Sequence, residues 1–176
     1  KISIINPTIF KDNRGFFLES YNSKFFNKNL NCDIKFVQDN LSFSKKDVFR
    51  GLHFQLSPLQ QCKLIHVLYG EILDFVVDIR HNSPTFGKFI SFKLNSKNRK
   101  QLFISAGFAH GFLTISDTAL ILYKVDKYFN KNKSYTLNIF DETLKININK
   151  FCKNIILSKK DKIGLSLEDI MKFKIK

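Results

Sequence analysis

Four residue types at four places in this chain could together do general acid–base chemistry. In RGLHFQ (50–55), strand alternation puts Leu52 and Phe54 on one face and His53 and Gln55 on the other. A polar face of that kind suits the inside of a β-barrel that holds a ligand, with His53 as a general base. Lys63 opens the next strand, and Tyr123 sits in ALILYKVDK between apolar neighbours. Asp161 ends SKKD, three residues after Ser158. Each has a plainer role as well. A strand histidine is often structural, a strand tyrosine is usually core, and a strand-end lysine is usually solvated. Ser158 and Asp161 alone make a capping box for a helical turn.

Other chemistries are excluded more readily. The histidines are His53, His66, His81 and His110, and none forms an H-x-H pair, so a metal centre has no local support. There is no G-x-G-x-x-G and no G-x-x-x-x-G-K-[ST], so any phosphate must be held by arginine, lysine and backbone donors. No G-x-S-x-G occurs, and Cys32, Cys62 and Cys152 stand in no activating context. General acid–base chemistry is what remains.

The elements that must position these side chains read as strands. KLIHVLY (63–69) is closed by Gly70, EILDFVVDI (71–79) follows, and HNSPTFG (81–87) is a turn. KFISFKL (88–94) alternates, with Phe89, Ser91 and Lys93 on one face and Ile90, Phe92 and Leu94 on the other. QLFIS, FLTIS, ALILYKVDKYF and TLNIF continue the series. Short strands at regular spacing predict a mainly β fold, an antiparallel jelly roll. Helical segments are expected only near the ends, over 21–29 and over 165–173, the latter with Ser166 as N-cap and Asp169 at the capping-box position.

Composition narrows the class further. The 176 residues fit one domain, 1–176, and are 44% hydrophobic and 25% charged, as in a soluble globular protein. No apolar run is long enough for a membrane span, and the N-terminus has no signal-peptide pattern. Three widely spaced cysteines cannot all pair, which favours a reducing compartment, with cytoplasm the default. The 29 Lys and Arg against 15 Asp and Glu leave a charge of +14. Scattered among asparagines, the lysines form no dense basic helix and suit a phosphorylated small ligand better than nucleic acid.

The combination is more specific than any part of it. RGLHFQLSPLQQCKLIHVLYGEILDFVVDIRHNSPTFGKF, then QLFISAGFAHGFLTIS and LILYKVDKYF, resembles the dTDP-4-dehydrorhamnose 3,5-epimerase family. The likeness begins at FKDNRGFFLESYN (10–22), passes through KFVQDNLSFS (35–44) and ends at ILSKKD (156–161). It implies a cupin-like jelly roll and a reaction without metal or redox cofactor. In that reaction the protons on C3 and C5 of a dTDP-4-keto-6-deoxy sugar, acidified by the C4 ketone, are removed and returned on the opposite face. By position, the resemblance makes His53 the base, Lys63 the cation at the enolate, Tyr123 the proton donor and Asp161 the partner of the histidine.

The resemblance also implies substrate-binding residues. Arg14 and Glu19 correspond to residues given across a homodimer interface, so that the partner's N-terminal segment completes each site. Gln38 and Asn40 correspond to base and sugar contacts, Arg50 and Lys159 to diphosphate ligands, His110 to the sugar pocket, and Phe129 to an aromatic that stacks on thymine. Two positions depart from the family pattern: Ser105 replaces a frequent proline, and Ser134 stands about where an acid helps to bind the nucleotide. Relatives that epimerise C3 alone or C5 alone, or act on GDP-linked 4-keto sugars, would use the same histidine, lysine and tyrosine.

Overall fold

In the computed structural model, which describes residues 1–173, the strands form two five-stranded antiparallel sheets facing each other in a jelly roll. The first sheet contains β1 (Ile2–Ile5), β4 (Gln38–Lys45), β6 (Lys63–Tyr69), β9 (Gln101–Ile104) and β11 (Thr118–Val125), in the order β1-β9-β6-β11-β4. The second contains β5 (Phe49–Gln55), β7 (Glu71–Asp78), β8 (Phe89–Asn95), β10 (Phe108–Thr114) and β12 (Ser134–Thr136), in the order β12-β5-β10-β7-β8. A small hairpin of β2 (Phe10–Asp12) and β3 (Gly15–Phe17) stands apart near the N-terminus.

From β4 onward consecutive strands alternate between the sheets, except for the β7–β8 hairpin, which is the winding of a jelly roll. The turn from β6 to β7 depends on Gly70, at φ +78°, where an added Cβ would collide with the carbonyl oxygen of Thr118. Between the sheets, Ile65, Val67, Ile72, Val76, Leu102 and Ile121 are fully buried. A second cluster lies on the other side of the second sheet, where Leu144, Ile148, Leu167 and Ile170 of the C-terminal segment pack on Phe49, Leu52 and Phe75. A third lies outside the first sheet, where Phe26 meets Tyr21, Phe36 and Phe103 edge to face.

The helices are where end signals place them. α1 (Ser23–Leu30) starts after Asn22, whose side chain accepts the Phe25 N–H, so the helix expected over 21–29 begins at Ser23. It ends at Asn31 in the left-handed conformation. α2 (Lys159–Lys162) and α3 (Leu167–Met171) are capped by Ser158 and Ser166, each accepting from the N–H of the aspartate three residues on. β8 is a regular strand, as its alternation predicts, but it lies at the sheet edge. Of its apolar face only Leu94 is buried, Phe92 is half-buried, and Ile90 is exposed, because β8 is an edge strand and only the Leu94 end lies against the core between the sheets. No helix among the described residues is long and apolar enough to cross a membrane.

Candidate active site

One end of the sandwich is open, and the gap between the sheets there forms a cavity of about 460 Å³. Strand register decides which side chains enter it. In the second sheet His53 of β5 is directly opposite His110 of β10, so the two share the inner face. In the first sheet Tyr123 of β11 pairs with Asn40 of β4 and with Ile65 of β6, which puts Lys63, two residues before Ile65, on the same face. The imidazole of His53 and the phenol of Tyr123 therefore come from opposite walls.

Arg50 lines the cavity as well, although it is three residues from His53 and a regular strand would turn it outward. The register slips between the His110–His53 pair and the Phe112–Arg50 pair, and this bulge restores Arg50 to the inner face. Gly51 makes the bulge possible. Its φ is +127°, and a Cβ there would lie 2.6 Å from the Gly111 Cα and 2.7 Å from the His110 carbonyl oxygen. The glycine between arginine and histidine in RGLH is thus a requirement of the site.

His53 Nε2 lies 2.6 Å from Oδ1 of Asp161. A parallel bridge between Val48 and Ile156 pins the incoming segment, and the Ser158 cap then presents Asp161 from the first turn of α2. Burial works to raise the Asp161 pKa, but hydrogen bonds with His53, Ser158 and the Gly51 backbone outweigh it and hold the carboxyl below its ordinary range. An ionised Asp161 accepts the Nε2–H of His53, which leaves Nδ1 as the nitrogen with the free lone pair.

Lys63 is buried, and its Nζ donates to the His53 carbonyl at 3.2 Å, spanning from the Tyr123 wall to the His53 wall. Burial lowers its pKa to about 8, with the carboxylate of Asp74 opposing the fall. Burial raises the pKa of Tyr123, against a smaller pull from Arg50, so the phenol keeps its proton at neutral pH. His110 is buried, with Nε2 2.8 Å from Asp74 Oδ2, and burial lowers its pKa. The neighbouring Cys62 is no rival nucleophile, since burial pushes its thiol up to about 12.

At the mouth, Arg50 donates to Ser44 Oγ at 2.8 Å and to the Phe43 carbonyl at 3.1 Å, which holds the guanidinium at the rim. Gln38 donates to Asn40 at 2.8 Å and accepts the Phe129 N–H at 3.1 Å, while the Phe129 ring stays exposed. Ser134 accepts from Lys160 Nζ at 3.2 Å.

The fold thus brings nine of the expected residues to one cavity: Gln38, Asn40, Arg50, His53, Lys63, His110, Tyr123, Phe129 and Asp161. Three lie outside it. Lys159 is exposed and its neighbour Lys160 lines the wall instead, because the single turn of α2 that buries Asp161 points consecutive lysines in different directions. Arg14 is exposed on the N-terminal hairpin, paired with Asp12, and Glu19 lies beside Asn22 in a separate cleft against α1. Gln55, expected on the polar face, is occupied in structure: its amide donates to the Leu59 carbonyl and its oxygen accepts the Asn130 N–H. Asp74, the buried partner of His110, is a residue that motif reading misses, its signal being an acid in the middle of the apolar run EILDFVVDI.

Comparison with known proteins places nearly the whole chain. The profile of the dTDP-4-dehydrorhamnose 3,5-epimerase family matches residues 1–169. The dTDP-4-dehydrorhamnose 3,5-epimerase of Shigella flexneri is 44% identical over 168 residues, covering 96% of this chain and 92% of that protein. The crystal structure of the dTDP-6-deoxy-D-glucose-3,5-epimerase of Legionella pneumophila, in complex with dTDP-4-keto-L-rhamnose, superposes with a TM-score of 0.91 at 41% identity, over 95% of this chain and 88% of that one. The dTDP-4-dehydrorhamnose 3,5-epimerase of Bacillus anthracis, with TDP and PPi bound, gives 0.89 at 40% identity, over 94% and 93% of the two chains. Sharing its sequence and its sandwich with these enzymes over nearly its whole length, the chain belongs to the dTDP-4-dehydrorhamnose 3,5-epimerase family.

Proposed function

We propose that the cavity inverts C3 and C5 of dTDP-4-keto-6-deoxyglucose by two rounds of proton removal and return, delivering the precursor of dTDP-L-rhamnose. The observation that supports this best is the opposition of His53 and Tyr123 on facing sheets, with Lys63 reaching between them. In each round His53 Nδ1 removes the proton α to the ketone, and the C4 oxygen takes up the negative charge as an enolate. The Lys63 ammonium faces that oxygen. Tyr123 then gives its proton to the carbon from the other side; His53 releases its proton to solvent and Tyr123 is recharged from solvent, which resets both for the next round. Inversion follows because base and acid never share a wall. These proton transfers need neither metal nor redox cofactor.

Arg50 and Lys160 at the rim suit the diphosphate, and the exposed Phe129 ring suits stacking on thymine. The exposed phenylalanines Phe10 and Phe17 of the hairpin, with Leu41 and Phe43 on the outer face of β4, support a homodimer. Arg14 and Glu19, remote from their own cavity, would then serve the partner's. With a water-soluble substrate and three free cysteines, we place the reaction in the cytoplasm.

The test is proton NMR of the enzyme with dTDP-4-keto-6-deoxyglucose in deuterated water. Deuterium at both C3 and C5, with a rhamnose-configured product after reduction, is the expected result. Deuterium at one carbon only would make this a single-centre epimerase, and none at all would send the search to GDP-linked sugars.

A further inference from the structure

Behind the cavity wall, against His110, lies a buried acid with no part in the proton transfers above. Asp74 is fully buried in β7. Strand alternation puts it on the same inner face as Ile72 and Val76, which belong to the core between the sheets. A carboxylate in such surroundings is destabilising unless hydrogen bonds and counter-charges offset its lost hydration. Oδ2 meets His110 Nε2 at 2.8 Å, but Oδ1 has no hydrogen-bond partner among the described residues. Across the gap, from the first sheet, comes Lys63, also buried, whose hydrogen bond goes to a neutral carbonyl.

We propose that Asp74 is a positioning residue that acts through Lys63: it supplies the buried negative charge that keeps the Lys63 ammonium charged before substrate binds, while it fixes His110 by Nε2. This rests on the reading of Lys63 as the cation at the enolate. The groups facing Lys63 and this pair are few. His53 and Arg50 come from β5, Tyr123 from β11, His110 from β10, and Asp161 from α2, where it is committed to His53. His110 is kept neutral by its burial, so it adds no positive charge, and Asp74 is the carboxylate whose field acts on Lys63. Burial raises the pKa of Asp74 itself, and His110 and Lys63 offset only part of the rise. The acid and the ammonium thus each depend on the other for their charge.

The sign of the effect follows. Lys63 serves as the protonated ammonium, so kcat/KM must fall as pH rises through its pKa, near 8 in the free enzyme. Asp74→Asn keeps the shape and removes the charge. The alkaline limb of kcat/KM should then move down by about one pH unit or more, as an opposite charge at close range warrants. At neutral pH kcat should fall more than KM changes, because the lost charge matters most when the enolate forms. A purely structural role would lower activity at all pH values and leave the limb in place, and that result overturns the proposal.

Lys63→Met separates the two levels. If it retains turnover, the enolate reading itself fails. If it abolishes turnover while Asp74→Asn leaves the limb unmoved, only the role of Asp74 fails. Should Asp74→Asn not fold, infrared spectra of the native enzyme with carbon-13-labelled aspartate decide. A buried carboxylate that is ionised at neutral pH supports the proposal, and a protonated acid there contradicts it.

Discussion

Replacing Asp161 by asparagine tests the reading of His53 most sharply, because it removes a charge while keeping the size of the side chain. Asp161 sits 2.6 Å from His53 Nε2 and is itself buried, but the His53 side chain is 39% exposed, so solvent screens part of the interaction. Taking charge centres ~3.5 Å apart and an effective dielectric of ~40, between protein and water, Coulomb's law gives ~2.4 kcal/mol, or roughly 50-fold in rate. A second loss adds to this. The new side-chain amide can turn its NH2 toward Nε2, which then accepts, and the ring proton moves to Nδ1, the nitrogen that should be the base. Together these should lower kcat by about 10²–10³, within the range for general base catalysis. The assay is deuterium exchange at C3 and C5 by NMR, with KM measured alongside and folding checked by circular dichroism. Since Ser158 caps α2 through the backbone N–H of residue 161, the turn survives the substitution. A fall of less than about 5-fold, in a folded variant, would reduce Asp161 to a helix-capping residue and leave His53 without its orienting partner.

Three further outcomes follow from the same geometry. Tyr123→Phe should lower product formation by about 10²–10⁴ while His53 still exchanges deuterium on the original face, and inverted product at the normal rate would remove Tyr123 from the acid role. Gly51→Ala places a Cβ against the backbone of two residues at φ +127°, so it should destabilise the protein by roughly 3 kcal/mol and reduce activity through Arg50 and His53; thermal melts matching the parent would refute the bulge argument. Asp78 offers a pH test. Burial works to raise its pKa, but hydrogen bonds from Arg80, Ser83 and Thr85 win and hold it below the usual carboxylate range. A depressed folded pKa gives stability that is complete above the unfolded value of about 3.9 and lost as pH falls below it. The acid side of the melting curve should therefore steepen below about pH 4, and Asp78→Asn should flatten it; an unchanged acid slope would count against the network.

Much of this protein is legible from its order of residues, because the information is local. Alternation in KLIHVLY and EILDFVVDI marks strands, Gly70 marks the turn between them, and Asn22, Ser158 and Ser166 mark helix starts, since each satisfies a backbone donor within its own turn. His53, Lys63, Tyr123 and Asp161 are also legible, as members of motifs in a recognisable order. What alternation misses is what depends on neighbours far away in the chain. Arg50 faces the cavity only because β5 bulges against β10, which sequence parity alone denies. Lys160 rather than Lys159 reaches the wall because the direction of a one-turn helix depends on how Ile156 and Asp161 are anchored, 108 residues from His53 in the latter case. Asp74 looks like a flaw in an apolar strand, and its meaning appears only when β10 brings His110 and the facing sheet brings Lys63. The residues and their chemical types come from the sequence. Which of them share a dielectric, a face and a proton is decided by tertiary structure, because pKa and hydrogen-bond geometry depend on distance in space.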